Sequence, residues 1–250
     1  MSKEFTVRWQ GDLAGTPEQV WDAITARGAG WIWPITYEPR LGGAEKGLGG
    51  GAGTVTAWAP GEHLATSAAD GDGVNALDYR LTPSDAGTRL SYTHRGVLAG
   101  DYDTELDACR QHTDFYYHSL GEYVAHFAGR DAVYVSADAP VVSAAGGFAV
   151  LKRALGLPDD VAAGDKVTLT PAGGASVGLA PIGLAPIDGV VDYATPAFLG
   201  VRTDDALYRF YGRDFWGWPV GVAHHFFGAD ASPDAWSTWL TGVFSDKAVN

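Results

Sequence analysis

Residues 87–96 read Gly87-Thr88-Arg89-Leu90-Ser91-Tyr92-Thr93-His94-Arg95-Gly96. Strict alternation puts Leu90, Tyr92 and His94 on one face of a strand and Arg89, Ser91 and Arg95 on the other. Pro83-Ser84-Asp85-Ala86-Gly87 is a turn signal. It makes this strand the second arm of a hairpin with 74–82. In that first arm Leu77, Tyr79 and Leu81 share a face, with Asp78 and Arg80 pointing outward. Downstream, a helix is predicted from about Tyr102 to Phe127. Leu106, Cys109, Thr113, Tyr116, Leu120, Val124 and Phe127 step by three or four along it, and Gly129 suits the position after its end. A helix of roughly 25 residues is about 37 Å long. It can cross a whole antiparallel sheet, so a sheet wrapped around a helix is the natural packing.

Upstream, Phe5 to Trp9 alternates as a strand. Thr16-Pro17-Glu18-Gln19 is a capping box with Pro at the first helical position. Val20, Ala23 and Ile24 give that helix an apolar face, and Gly28 stops it. Further strands are predicted at 34–40, 53–59 and 62–69. They are separated by Gly42-Gly43, Gly49-Gly50-Gly51 and Pro60-Gly61, and Asp70-Gly71-Asp72-Gly73 leads into 74–82. Connections this short favour antiparallel neighbours.

The chain then starts again. Ala132–Ala137 mirrors the first strand, and 147–156 carries a short helical stripe in Phe148, Leu151 and Leu155. Tyr37-Glu38-Pro39-Arg40-Leu41-Gly42-Gly43 is echoed by Leu169-Thr170-Pro171-Ala172-Gly173-Gly174. The stretch from Val55 to Pro60 is echoed from Val190 to Pro196. Four landmarks recur at nearly constant offsets: 131 from Gly43 to Gly174, 135 from Leu64 to Leu199, 129 from Arg80 to Arg209 and 130 from His94 to His224. Two copies of one unit are therefore expected, about 1–130 and 131–250. The second ends in a helix near 233–245.

The chain has 250 residues, with 34 Gly, 9 Trp and a formal charge of −13 from 30 acidic and 17 basic side chains. That balance argues against a nucleic-acid partner and against anionic membrane surfaces. No apolar run is long enough to span a bilayer, and the start lacks a signal-peptide core. A cytoplasmic protein is the expectation. With only Cys109, neither a disulfide framework nor a cysteine zinc site is expected.

The order strand, helix, antiparallel strands and long C-terminal helix resembles the helix-grip fold. Gly87-Thr88-Arg89-Leu90-Ser91-Tyr92-Thr93-His94-Arg95-Gly96 resembles the penultimate-strand signature of the activator of heat-shock-protein-90 ATPase homologue-like family, within the START-like (SRPBCC) superfamily. Pro39-Arg40-Leu41-Gly42-Gly43, the Pro60 hairpin with Leu64, and Tyr116-Tyr117-His118-Ser119-Leu120-Gly121-Glu122-Tyr123 through Gly129-Arg130 are similar too. The resemblance covers about residues 5–130. It implies an α+β fold of tandem helix-grip units, each an antiparallel sheet wrapped around a long C-terminal helix, with a hydrophobic cavity between them. Superfamily members include lipid and hormone carriers, polyketide cyclases and co-chaperones, so fold alone leaves the function open.

Tyr79, Tyr92 and His94 are expected to offer polar tips inside an apolar cavity, as a small-molecule site requires. Alternatively they are core side chains bonded to backbone. Trp31, Trp33 and Trp58, with Tyr116 from the helix, are candidates to roof the cavity and stack on a ligand, or to pack as ordinary core. The loop Gly42–Gly53 is a candidate gate. No cofactor or metal is expected. His112, His118 and His126 lack the i, i+4 spacing of a helical zinc site, and His224 and His225 point to opposite faces of a strand. Cys109 sits on the apolar stripe as a small hydrophobe. Phe210, Tyr211, Phe215, Trp216, Trp218, Phe226 and Phe227 crowd the second copy, either filling it as a structural half, with Trp216, Trp218, Trp236 and Trp239 in its interior, or forming an apolar patch for the first copy or a partner; contact between the two copies is the expectation. The expected function is non-catalytic binding of a small hydrophobic or aromatic ligand. A stress-related co-chaperone-like interaction protein, or a cyclase- or hydrolase-like enzyme using His94, are the alternatives.

Overall fold

A computed structural model describes residues 2–48, 52–70, 73–171, 184–228 and 231–245. The chain divides into two compact units, Met1–Ala132 and Val133–Asn250. The fold is α+β, with one antiparallel sheet and two helices in each unit. The expected turns at Gly49-Gly50-Gly51 and Gly71-Asp72, the centre of the Gly42–Gly53 gate and the Ala172-Gly173-Gly174 echo lie outside the described residues.

The first unit runs β1 (Lys3–Leu13), α1 (Pro17–Thr25), β2 (Thr36–Tyr37), β3 (Ala44–Lys46), β4 (Gly53–Ala59), β5 (His63–Asp70), β6 (Gly73–Ser84), β7 (Gly87–Leu98) and α2 (Tyr102–His126). Its sheet order is β1-β7-β6-β5-β4-β3-β2. The strand expected at 34–40 is only two residues long, and Ala44–Lys46 is a strand that was not expected. Pro39 removes a ladder donor and ends the first, while the Gly42-Gly43 turn returns the chain to pair beside β4. The capping box forms: Thr16 Oγ1 accepts from the Gln19 N–H at 3.3 Å, and Gln19 Oε1 accepts from the Thr16 N–H at 2.9 Å. Gly87 adopts φ +124°, with the Leu13 and Gly15 carbonyls where a Cβ would be, so only glycine closes the β6–β7 hairpin against β1.

On α2 the expected apolar stripe is displaced. Phe115, Tyr117 and Tyr123 are buried beside Thr113, Leu120 and Val124, whereas Leu106, Cys109 and Tyr116 are only half-buried. The helix packs against both the sheet and α1. Its buried arc is therefore wider than one i, i+3, i+4 stripe.

The second unit runs β8 (Val133–Asp138), α3 (Gly147–Ala154), β9 (Lys166–Leu169), β10 (Ile187–Ala194), β11 (Phe198–Arg202), β12 (Ala206–Tyr211), β13 (Gly221–Phe226) and α4 (Pro233–Ser245). Its order, β8-β13-β12-β11-β10-β9, repeats that of the first sheet without the short edge strand. Register makes the correspondence residue by residue. His94 pairs with Val7 on the first strand of its unit, and His224 pairs with Val135 on the first strand of the other. Register shifts fall at matching places, between Val55 and Ala57 and between Val191 and Tyr193. One landmark moves. Leu64 faces Tyr79 and Leu199 faces Phe210, so the counterpart of Arg209 is Asp78 rather than Arg80.

The second core is filled by Tyr208, Phe210, Phe226, Trp236, Trp239, Leu240 and Phe244. Phe215 and Trp218, among the rings expected to crowd this unit, are 55% and 37% exposed. Around the bulge, Asp192 accepts two hydrogen bonds from Arg209 Nη1, at 2.9 and 3.0 Å, and Arg209 is 0% exposed. Val191 and Phe210 face the core, so Asp192 and Arg209 beside them share the other face of the sheet. Gly200 lies under the pair, where a Cβ would collide with both Asp192 Oδ1 and Arg209 Nη1.

Gly200→Ala is therefore expected to lower the stability of the second unit by about 3 kcal/mol, since separating a buried ion pair is costly. Gly242→Ala, on α4 with nothing within 4 Å of the new methyl, is expected to raise it by up to about 1 kcal/mol. Urea unfolding of both variants checks the pair. Equal effects would break the assignment.

Candidate functional site

The inner face of β6 carries Asn75, Leu77 and Tyr79, and that of β7 carries Tyr92 and His94. Facing them, α2 presents Cys109, His112, Thr113, Tyr116 and Tyr117, and the segment after α1 adds Trp31, Ile32 and Trp33. Together with Leu48 these residues enclose a cavity of about 130 Å³. Six of the seven residues expected at a cavity line it: Trp31, Trp33, Tyr79, Tyr92, His94 and Tyr116. Trp58 does not. It shares the inner face with Leu64 and packs edge-on to Trp21 of α1 at 5.0 Å, near Tyr37 at 6.4 Å.

Each roofing tryptophan is tethered by its indole N–H. Trp31 donates to the Ala23 carbonyl at 2.9 Å, and Trp33 donates to the Gly47 carbonyl at 2.5 Å. Trp33 stands edge-on to Tyr116, with ring centroids 5.4 Å apart. These walls are held from outside the cavity, which leaves their faces available to it.

At the base lies a group of three tyrosines. Tyr79 and Tyr92 are 5.0 Å apart, Tyr92 and Tyr117 4.8 Å, and Tyr117 stacks on Trp9 at 4.6 Å. All three line the cavity. Burial pushes all three phenols well above the usual tyrosine range, so each remains a protonated donor. The cluster thus lines the cavity with phenol hydroxyls that keep their protons.

The other polar corner is His94. Its Nε2 lies 2.7 Å from Asn75 Oδ1, and its Nδ1 lies 3.8 Å from Cys109 Sγ. An amide oxygen only accepts, so the Asn75 contact places the imidazole proton on Nε2 and leaves Nδ1 as an acceptor for the thiol. Burial lowers the His94 pKa to about 4 and raises that of Cys109, so the pair is neutral at pH 7.

Asn75 was legible by the same alternation that selects Leu77 and Tyr79. Tyr117 was legible as four residues after Thr113. Cys109 was seen but read as packing. Glu45 carried no sequence signal: it is 1% exposed, and its Oε1 accepts the Leu48 N–H at 2.9 Å. Burial raises its pKa, and its charge adds to the upward shift of Tyr37 and Tyr79.

In the second unit the register equivalent of His94 has no such setting. His224 packs edge-on to Trp236, with centroids 4.3 Å apart, and its Nδ1 accepts the Arg209 backbone N–H at 3.1 Å. Its pKa is pushed far down by burial, with His225 and Arg209 adding to the shift. Among the described residues no three His, Cys, Asp or Glu side chains gather as a metal site would, and no helix is long and apolar enough to cross a membrane.

No family model and no curated protein matches the chain. Solved structures similar to half of it include protein MLL2253 from Mesorhizobium loti, 20% identical over 49% of this chain and 98% of that one, with a TM-score of 0.42. CalU16 from Micromonospora echinospora is 19% identical over 50% of this chain and 77% of its own, with a TM-score of 0.39. Protein SA2116 from Staphylococcus aureus is 13% identical over 50% and 98%, with a TM-score of 0.38.

A histidine whose folded pKa lies below its unfolded value binds its proton more readily in the unfolded chain. Stability is therefore present above the unfolded pKa, about 6.5, and is lost as pH falls toward the folded value. For His94, at about 4 in the folded state, the first unit is expected to lose up to about 3 kcal/mol between pH 6.5 and pH 4. Hydrogen exchange of β6 and β7 amides across that range measures it. His94→Phe should flatten the dependence, and an unchanged slope would assign it to other groups.

Proposed function

We propose that the first unit is a START-like, helix-grip binding domain whose cavity holds a small apolar molecule of about one ring, carrying a hydrogen-bond acceptor. The observation that carries this reading is the composition and size of the cavity. Aromatic walls from Trp31, Trp33, Tyr116 and Tyr117 surround few polar tips, as in sites for small organic ligands. A volume of about 130 Å³ is close to the roughly 150 Å³ at which an apolar cavity accepts benzene. It falls below the roughly 300 Å³ where sites for larger ligands begin. Lipids, hormones and polyketides are too large for it. The hydroxyl donors of the tyrosine group favour a carbonyl or similar oxygen on the ligand, because a buried donor without an acceptor is costly. The second unit, with Trp236 against His224 and rings throughout its core, acts as a structural partner in this reading.

Cyclohexanone and methylcyclohexane are matched in size and differ in the acceptor. Cyclohexanone is expected to raise the melting temperature of the chain and to bind the more tightly. Tyr92→Phe should weaken cyclohexanone by about tenfold, the worth of one buried hydrogen bond, and leave methylcyclohexane unchanged. Calorimetry reads both. If neither compound binds, or if only long-chain lipids do, the reading is wrong.

A further inference from the structure

We infer, building on the one-ring binding site, that Cys109, His94 and Asn75 form a nucleophilic relay that adds the Cys109 thiol to a small α,β-unsaturated carbonyl compound held in the cavity. The three side chains lie in series: thiol to imidazole Nδ1 at 3.8 Å, imidazole Nε2 to amide oxygen at 2.7 Å. They come from three elements, α2, β7 and β6, and all three line the cavity. The same three groups in the same order activate a cysteine in papain-like proteases on an unrelated fold. Here the cavity has no room for a peptide, so peptide cleavage is excluded by size. An uncharged electrophile of one ring remains.

A second, independent feature selects the electrophile. The tyrosine group offers hydroxyl donors inside the cavity that Cys109 also lines. A conjugated carbonyl presents both things these groups seek, an acceptor oxygen and an electrophilic carbon two bonds from the carbonyl carbon.

The step balances without a co-reactant. The thiol proton passes to His94 Nδ1 as a sulfur electron pair forms the C–S bond at the β-carbon. The C=C π pair moves onto the α-carbon and carbonyl oxygen, where a tyrosine hydroxyl donates to the enolate. His94 then returns the proton to the α-carbon. Sulfur and hydrogen have been added across the double bond, and the imidazole is neutral again. Because both partners start neutral, the proton must move as sulfur attacks, which makes His94 a general base rather than the cation of a standing ion pair. Asn75 is a positioning residue: it holds the tautomer in which Nδ1 faces the thiol.

The probe is cyclohex-2-enone with the full chain at pH 7. Cys109 is the single cysteine, so one covalent adduct, followed by intact mass, reports the site. The expected rate exceeds that of N-acetylcysteine at the same pH by about tenfold or more. His94→Phe is expected to lower it about 100-fold, within the range for loss of a general base. Asn75→Ala is expected to lower it about tenfold, and Asn75→Asp, which keeps an acceptor oxygen, to restore it. A wild-type rate no higher than that of N-acetylcysteine overturns the inference. So does an undiminished rate in His94→Phe or, should that variant not fold, in Asn75→Ala. Cyclohexanone binding separates the two readings. If cyclohexanone binds and the enone is not captured, only the covalent step fails. If neither is held, the binding site fails with it.

Discussion

The contact on which the first unit depends is Tyr117 of α2 against the inner face of the sheet. Its ring stacks on Trp9 of β1 and meets Tyr92 of β7, which in turn meets Tyr79 of β6. One side chain thus ties the long helix to the sheet through ring contacts. It also sets the depth of the cavity. The tyrosine rings pack on one another at its base, and the space lined by Trp31 and Trp33 stays open. A smaller residue at 117 would let the helix settle onto the sheet or leave a void. Either way the alignment of Cys109, two turns earlier on the helix, with His94 on β7 would change.

The two units show how one framework supports opposite interiors. Sheet order, the bulge of β4 and of its counterpart β10, and the inward histidine of the last strand recur in both. Contents differ at single positions. His94 faces Asn75 and Cys109 at the edge of open space, whereas His224 lies against the indole of Trp236. The bulge itself holds Thr56 in one unit and Asp192 in the other, and only the acidic version demands a buried arginine and a glycine beneath it. Repetition preserved backbone geometry, which many sequences satisfy. Cavity or core was then decided by a few ring-sized side chains.

Much of this was open to reading from the residues in order. Alternation in 87–95 and 74–82 named the inward Tyr79, Tyr92 and His94, and the capping box at Thr16 started α1 where it was expected. Repeated landmarks revealed two units. Errors arose where spacing alone does not fix the neighbour. Trp58 shares the inner face with Leu64 but packs on Trp21 of α1, and strand pairing makes Asp78, not Arg80, the counterpart of Arg209. A helix packed against both the sheet and α1 hid Tyr117 behind Tyr116. Glu45 was invisible because its strand has three residues, too few to show any alternation.

By itself, the sequence determined what local periodicity and turn chemistry control: the strands and helices, the faces they turn inward and the duplication. Tertiary structure decided which inward side chains meet. The relay of Cys109, His94 and Asn75 joins residues 15 and 19 positions apart on three elements. The space beside it exists because four aromatic walls are held from behind by their own hydrogen bonds and stacks. Distances across a packed interior depend on how every intervening side chain fits, and no periodicity along the chain encodes that sum.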